Sequence, residues 1–354
     1  RRDARQAFHV VRELAADFQL EVTQAVGAHA LLERLRQAVV QPPVGRHVAR
    51  DDGIEQAHGV PGRDGVGRGA ARPRQQVGAG QLGVHRLGAD AEHVVAQHPD
   101  HVVVTGDLAN IGLPQEHIDA LAWLEALGPP ERVTVIPGNH DIYSRIGRDS
   151  GARRWLSYMV SDTQGAAFTS TVADFPFVRV VGQVALIGVN SAVATPPLMA
   201  WGLVGKEQLT RLAAILAALG RARLFRLVLI HHPPLSGQAS YIRGLKDAAA
   251  LEAILIRHGA ELVIHGHNHR NMLHWLVAEG GARAPVVGVA SGSAARVHKG
   301  EPLARYNLFR IDADGADWRI EVVGRGLAEP GGPVVELERR QLSAEARGSH
   351  APAV

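Results

Sequence analysis

Four short apolar runs in this chain each end in side chains that a buried strand has no packing use for. His101-Val102-Val103-Val104 leads into Thr105-Gly106-Asp107. Val133-Thr134-Val135-Ile136 leads into Pro137-Gly138-Asn139-His140-Asp141. Leu227-Val228-Leu229-Ile230 leads into His231-His232-Pro233-Pro234, and Leu262-Val263-Ile264 into His265-Gly266-His267-Asn268-His269. Continuous β-branched and aliphatic runs of this length read as strands covered on both faces. The Gly and Pro residues that follow turn the chain sharply. Each strand therefore delivers Asp, Asn or His at its C-terminal edge, where open α/β sheets place their ligands.

Between and after these runs the pattern alternates regularly. Residues 115–127 carry Ile118, Leu121, Ala122 and Leu124 on one helical face, closed by Gly128-Pro129-Pro130. Residues 177–181 and 184–189 flank Gly182-Gln183 as a hairpin. Helices are predicted over 206–219, with Gly220 as the stop, and over 246–258, with strands over 271–277, 285–290, 305–311 and 318–323. From Gly326 onward, Pro-Gly interruptions and charge read as a loose tail over 327–354.

Residues 1–98 are of another character. Phe8, Val11, Leu14 and Ala15, and then Leu31, Leu32 and Leu35, fall at helical spacing. Nine glycines follow between Gly53 and Gly83, among Arg, Gln, His and Pro, with no run apolar enough for a buried strand. Such composition reads as loop or disorder. Gly78-Ala79-Gly80-Gln81-Leu82-Gly83 matches a dinucleotide fingerprint, but the residues before it, Arg72-Pro73-Arg74-Gln75-Gln76, are no strand, and the fingerprint needs one. The expected organisation is an atypical segment over 1–98, an α/β domain over 99–326 and a tail over 327–354.

Composition removes several classes of function. There is no Cys, so neither a disulfide framework nor a thiolate metal site is open to the chain. A net charge of +3, from 38 basic and 35 acidic residues, gives no nucleic-acid-binding signal. No stretch reaches the ~20 apolar residues of a membrane span. No apolar leader stands at the start, so a cytoplasmic protein is expected.

Asp, Asn and His offer oxygen and nitrogen without sulfur, a donor set suited to Mn, Fe or Zn. A carboxylate such as Asp107 has two oxygens and can bridge two cations. In a turn, His267 and His269 can both reach a metal pair. Paired ions ~3.5–4 Å apart clamp the attacking and leaving oxygens of an in-line displacement and acidify water between them to hydroxide. That is the chemistry of a phosphorus centre. Ser291-Gly292-Ser293 lacks the G-x-S-x-G elbow of a serine hydrolase.

Gly106-Asp107, Gly138-Asn139-His140-Asp141, His231-His232-Pro233-Pro234 and Gly266-His267-Asn268-His269 together resemble the signature blocks of the calcineurin-like metallophosphoesterases, in family order over roughly residues 100–325. The His-His-Pro-Pro form is similar to that of the class III cyclic-nucleotide phosphodiesterases. The resemblance implies an α/β fold of two packed mixed β-sheets flanked by helices, a four-layer sandwich. It implies hydrolysis of phosphodiesters or phosphomonoesters by a metal-activated hydroxide, with a small phosphoester as substrate. Asp107 is then the bridging carboxylate. Asn139, His231 and His267 complete one divalent metal site, and His269 belongs to the other. His140 contacts the phosphate and assists the leaving oxygen, and Asp141 orients His140. His232 and His265 read as structural, and His117, His258, His274 and His298 as surface residues.

One block of the family is missing. The opening strand should end in Asp-x-His, which serves the same metal as His269, yet no Asp-x-His occurs in the chain. His85, Asp90 and His93 are the nearby substitutes. A shifted reading frame in Arg-biased coding sequence accounts for the change of character at Asp100. It predicts a strand ending in Ser-Asp-x-His in another frame just upstream, and a chain that, as written, has an unpaired sheet edge and is a poor enzyme. The alternative is a catalytically impaired binding or scaffold protein on the same fold. A metal count with a phosphodiester assay separates the two.

Overall fold

The computed structural model describes residues 91–142, 151–170, 174–279, 281–297, 300–315 and 317–342, and the backbone of 19–25. The helical expectations at residues 8–15 and 31–35, the glycine-rich stretch and the Gly78–Gly83 motif lie outside the described residues.

Two six-stranded mixed sheets organise the chain. The first holds β1 (Gln19–Ala25), β2 (His101–Val104), β3 (Val133–Val135), β10 (Arg305–Asp314), β11 (Asp317–Leu327) and β12 (Val334–Gln341), in the order β12-β11-β10-β1-β2-β3. The second holds β4 (Phe177–Val181), β5 (Val184–Gly188), β6 (Phe225–Leu229), β7 (Leu262–His265), β8 (Met272–Val277) and β9 (Arg283–Gly288), in the order β4-β5-β6-β7-β9-β8. The α-helices between them include α1 (Pro114–Leu127), α2 (Lys206–Arg221) and α3 (Ala248–His258).

Alternate side chains of the central strands go to two different cores. Leu227 and Leu229 of β6 and Ile264 of β7 share one buried cluster with Val102 and Val104 of β2 and Phe309 and Ile311 of β10, so the two sheets face each other across it. Val228 and Val263 point the other way, into a cluster with Leu212, Leu216 and Leu219 of α2 and Leu251 and Leu255 of α3. Strands covered on both faces carry no polar alternation, which is why the motif strands read as unbroken apolar runs. Arg179 of β4 ties the sheets at their edges. Its guanidinium donates to the carbonyls of Val133 at 3.0 Å, Val160 at 2.8 Å and Ser157 at 2.6 Å, and to that of Pro130.

Three expectations are corrected. The segment before residue 98 does supply a strand: β1 lies between β10, antiparallel, and β2, parallel, so β2 is not an open edge. The first five residues of its sequence, Gln-Leu-Glu-Val-Thr, alternate with period two, the strand signature, inside a stretch whose wider spacing suggests helix. The C-terminal tail is not loose throughout, because Val334–Gln341 pairs antiparallel with β11 as β12. Finally, α2 runs past Gly220 to Arg221. The chain leaves the helix through Arg223, which takes the left-handed conformation expected of Gly220 (φ 57°). The β4–β5 hairpin forms as its sequence predicts.

Candidate metal centre

β2 and β3 are parallel neighbours in one sheet, and β6 and β7 are parallel neighbours in the other. All four C-terminal edges open on the same place. Asp107, Asn139, His231 and His267 are each buried to within a few per cent of full cover there. His231 Nε2 lies 3.3 Å from Asp107 Oδ2, 3.1 Å from Asn139 Oδ1 and 3.3 Å from His267 Nδ1. His267 Nδ1 lies 2.9 Å from the same Asn139 oxygen. One donor atom from each of Asp107, His231 and His267 falls within 4.8 Å of the others.

The loops are strained to achieve this. Asp107 (φ 60°), His267 (φ 65°) and His269 (φ 51°) all occupy the left-handed region that side chains avoid. Backbone strain of this kind costs about 1–3 kcal/mol per residue and collects at functional sites. The loops also touch through glycine. A Cβ on Gly138 would collide with the Asp107 carboxylate, and one on Gly106 (φ 91°) with the Gly138 backbone and the His231 ring.

Hydrogen bonding prepares the donors. His231 Nδ1 donates to the Thr105 carbonyl at 2.7 Å, which turns Nε2 toward the cluster. His267 Nε2 is buried with no hydrogen-bond partner among the described residues. Burial alone would raise the Asp107 carboxyl, but the His231 and His140 imidazoles hold it well below the carboxylate range. Burial lowers His231 and the Asp107 charge outweighs it, so His231 is raised overall. Burial, then the neighbouring His232 and His231, hold His267 far down. Two imidazole nitrogens and two oxygens thus crowd a buried point that already draws positive charge. A divalent cation fits this set: it accepts all four donors and relieves the close approach of the two nitrogens.

Asp141 acts on the backbone. Its Oδ2 accepts from the N–H groups of Asp107 at 2.9 Å and Gly138 at 2.8 Å, and its Oδ1 from that of Ala109 at 2.8 Å, so one carboxylate locks two ligand loops together. Burial and the Asp107 charge push it up to about 6, against those donors. The expected Asp141 hold on the His140 ring is replaced by another. His140 Nδ1 donates to the Asn110 carbonyl at 2.5 Å. Asn110 is in turn fixed by Glu116 of α1, whose Oε2 accepts from the N–H groups of Asn110, Ile111 and Leu113 at 3.0–3.3 Å.

His269 is not among the three clustered donors; its Nδ1 lies 3.1 Å from Glu301 Oε2. Of the substitutes for the missing block, His93 Nδ1 bonds the Tyr306 hydroxyl at 2.9 Å, while His85 and Asp90 lie outside the described residues. His232 is held at both nitrogens, by Ser191 Oγ at 2.8 Å and the Ala200 carbonyl at 3.1 Å, and burial lowers it to about 3. His265 is fully buried and lowered to about 4 by the same cause. His117 is buried, not at the surface, with Nε2 2.9 Å from the Asp141 carbonyl. Thr105, Asn110, His117 and Glu301 carried no signal in the sequence, since each acts through a backbone carbonyl or from far along the chain, and Glu116 none because its carboxylate serves backbone N–H groups.

Comparison with known proteins accords with this geometry. The profile of the calcineurin-like phosphoesterases matches residues 83–271, a span that holds every residue of the cluster together with His140, Asp141 and His269. The chain belongs to that family. Within it, the chain is 25% identical over 227 residues to a probable cyclic nucleotide phosphodiesterase of Synechococcus, covering 63% of this chain and 76% of the other. A dimetal phosphatase from Danio rerio shares the fold, with a TM-score of 0.50 at 15% identity over 73% of this chain and 88% of that one. β1 lies before the matched span.

Proposed function

We propose that this phosphoesterase-family chain is a metal-dependent hydrolase of phosphodiester or phosphomonoester bonds, built as a four-layer sandwich whose working unit is residues 99–326 with β1 added. The observation that carries the reading is the convergence of Asp107, Asn139, His231 and His267 from four strand ends onto one buried point. These four would hold a Mn, Fe or Zn ion, and His269 would serve a neighbouring position. A divalent ion bound there supplies Lewis acidity and activates water at neutral pH.

The chain's own residues do the rest. His140 is half-buried at the rim, with Nδ1–H committed to Asn110, so Nε2 is the nitrogen that meets the substrate and passes a proton to the leaving oxygen. Asp141 holds the two loops of the first sheet in register, which fixes Asp107 against His140; the His140 N–H donates to Asp107 Oδ1 at 3.1 Å. The pairing of His269 with Glu301 favours the second reading, a scaffold with an impaired centre. Turnover of bis(p-nitrophenyl) phosphate and of p-nitrophenyl phosphate with added Mn decides. Hydrolysis that chelation stops and Asp107→Asn abolishes supports the enzyme; no hydrolysis under any metal supports the scaffold.

A further inference from the structure

A second concavity shares a wall with the ligand cluster. A cavity of about 490 Å³ lies between the loop after β7 and the segment before α3, lined by Gln238, Arg243, Asn268, Arg270 and Asn271 among others. Arg243 Nη2 donates to the His267 carbonyl at 3.0 Å, and Asn268 and Arg270 flank His269 in sequence, so this cavity adjoins the centre. Its lining contains two arginines and no carboxylate. Both arginines are exposed, and neither pairs with a carboxylate among the described residues. The Gln238 side-chain oxygen accepts from the Leu235 N–H at 3.3 Å, while its nitrogen is buried in the wall without a partner among the described residues.

We propose that this cavity holds a second phosphate group of the substrate, one that is not cleaved; the proposal rests on the phosphoesterase reading. One guanidinium fork saturates a carboxylate, whereas a phosphate has oxygens for two forks and amide donors besides. A cyclic nucleotide carries only the phosphate that reacts. The cavity therefore points to diesters that bear a further terminal phosphate.

The test is calorimetric binding of thymidine 3′,5′-bisphosphate and thymidine 5′-monophosphate to the metal-loaded full chain and to its Arg270→Gln variant. The two ligands differ by one phosphate. The bisphosphate is expected to bind roughly tenfold tighter or more, and Arg270→Gln to remove most of that preference. Equal affinities in the wild type overturn the proposal, as does a preference that Arg270→Gln leaves untouched. Turnover of bis(p-nitrophenyl) phosphate judges the enzyme reading separately. A chain that prefers the bisphosphate and hydrolyses nothing keeps the cavity and loses the enzyme; one that hydrolyses without preference does the reverse.

Discussion

The donor cluster and the surroundings of His269, the two halves of this region, are supported in opposite ways. The Asp107, Asn139, His231 and His267 half draws every donor from a strand-end loop, and its supports are backbone groups of the same loops, Thr105 for His231 and the three N–H groups around Asp141. His269 stands on the same strand-end loop as His267, but its partner, Glu301, stands 32 residues further along the chain, outside the strand ends. A ligand set carried by packed strands is rigid because both faces of those strands are buried. A partner carried on a connecting segment, as Glu301 is, has no such scaffold.

Breaking His140 sharpens that difference most. It sits on the rigid half without being one of the clustered donors, so His140→Ala should slow turnover by ~10²–10⁴ while metal content stays constant. The loss should shrink with nitrophenol as leaving group. If poor and good leaving groups suffer equally, His140 positions substrate and moves no proton.

His269→Ala probes the other half. It should remove a weakly held second equivalent of metal, leave the tightly held ion in place, and slow hydrolysis less than His140→Ala does. Elemental analysis after dialysis measures the first two. A loss of turnover as deep as that of His140→Ala would mean that the second position is complete, with ligands from outside the described residues.

The smallest effect comes from the opposite end of β2. His101 is buried against Thr134 Oγ1 at 2.8 Å, and burial, then Arg179 and Arg132, lower it to about 3. The unfolded chain takes up a proton near pH 6.5 that the folded one refuses until about pH 3, so stability falls as pH drops through that window. His101→Gln keeps a hydrogen bond to Thr134 and removes the proton. Its stability should fall less steeply, by up to about 1.4 kcal/mol per pH unit. Denaturant titrations at pH 4 to 7 test this; parallel slopes would show His101 already protonated in the fold.

The sequence was informative where chemistry and strand burial coincide. The four motif loops stood out because polar side chains end unbroken apolar runs, and all four loops meet in space. β1 escaped notice because five alternating residues carry little signal in a segment that also holds a glycine-rich stretch. Its presence removes one argument for a shifted frame, since the first strand of the sheet is there after all, and leaves the other, the missing Asp-x-His. The grip of Asn110 on His140 was invisible, because a backbone carbonyl has no residue type. The exchange of expected partners around Asp141 has the same cause: its carboxylate serves N–H groups that any sequence would offer.

The central claim is that the rigid half binds metal tightly by itself. Metal content of the purified chain, read beside Asp107→Asn and His267→Ala after exhaustive dialysis, tests it directly. The account predicts a tightly held Mn, Fe or Zn ion in the wild type and none in either variant, with both variants still folded. Metal content unchanged in both variants would contradict it.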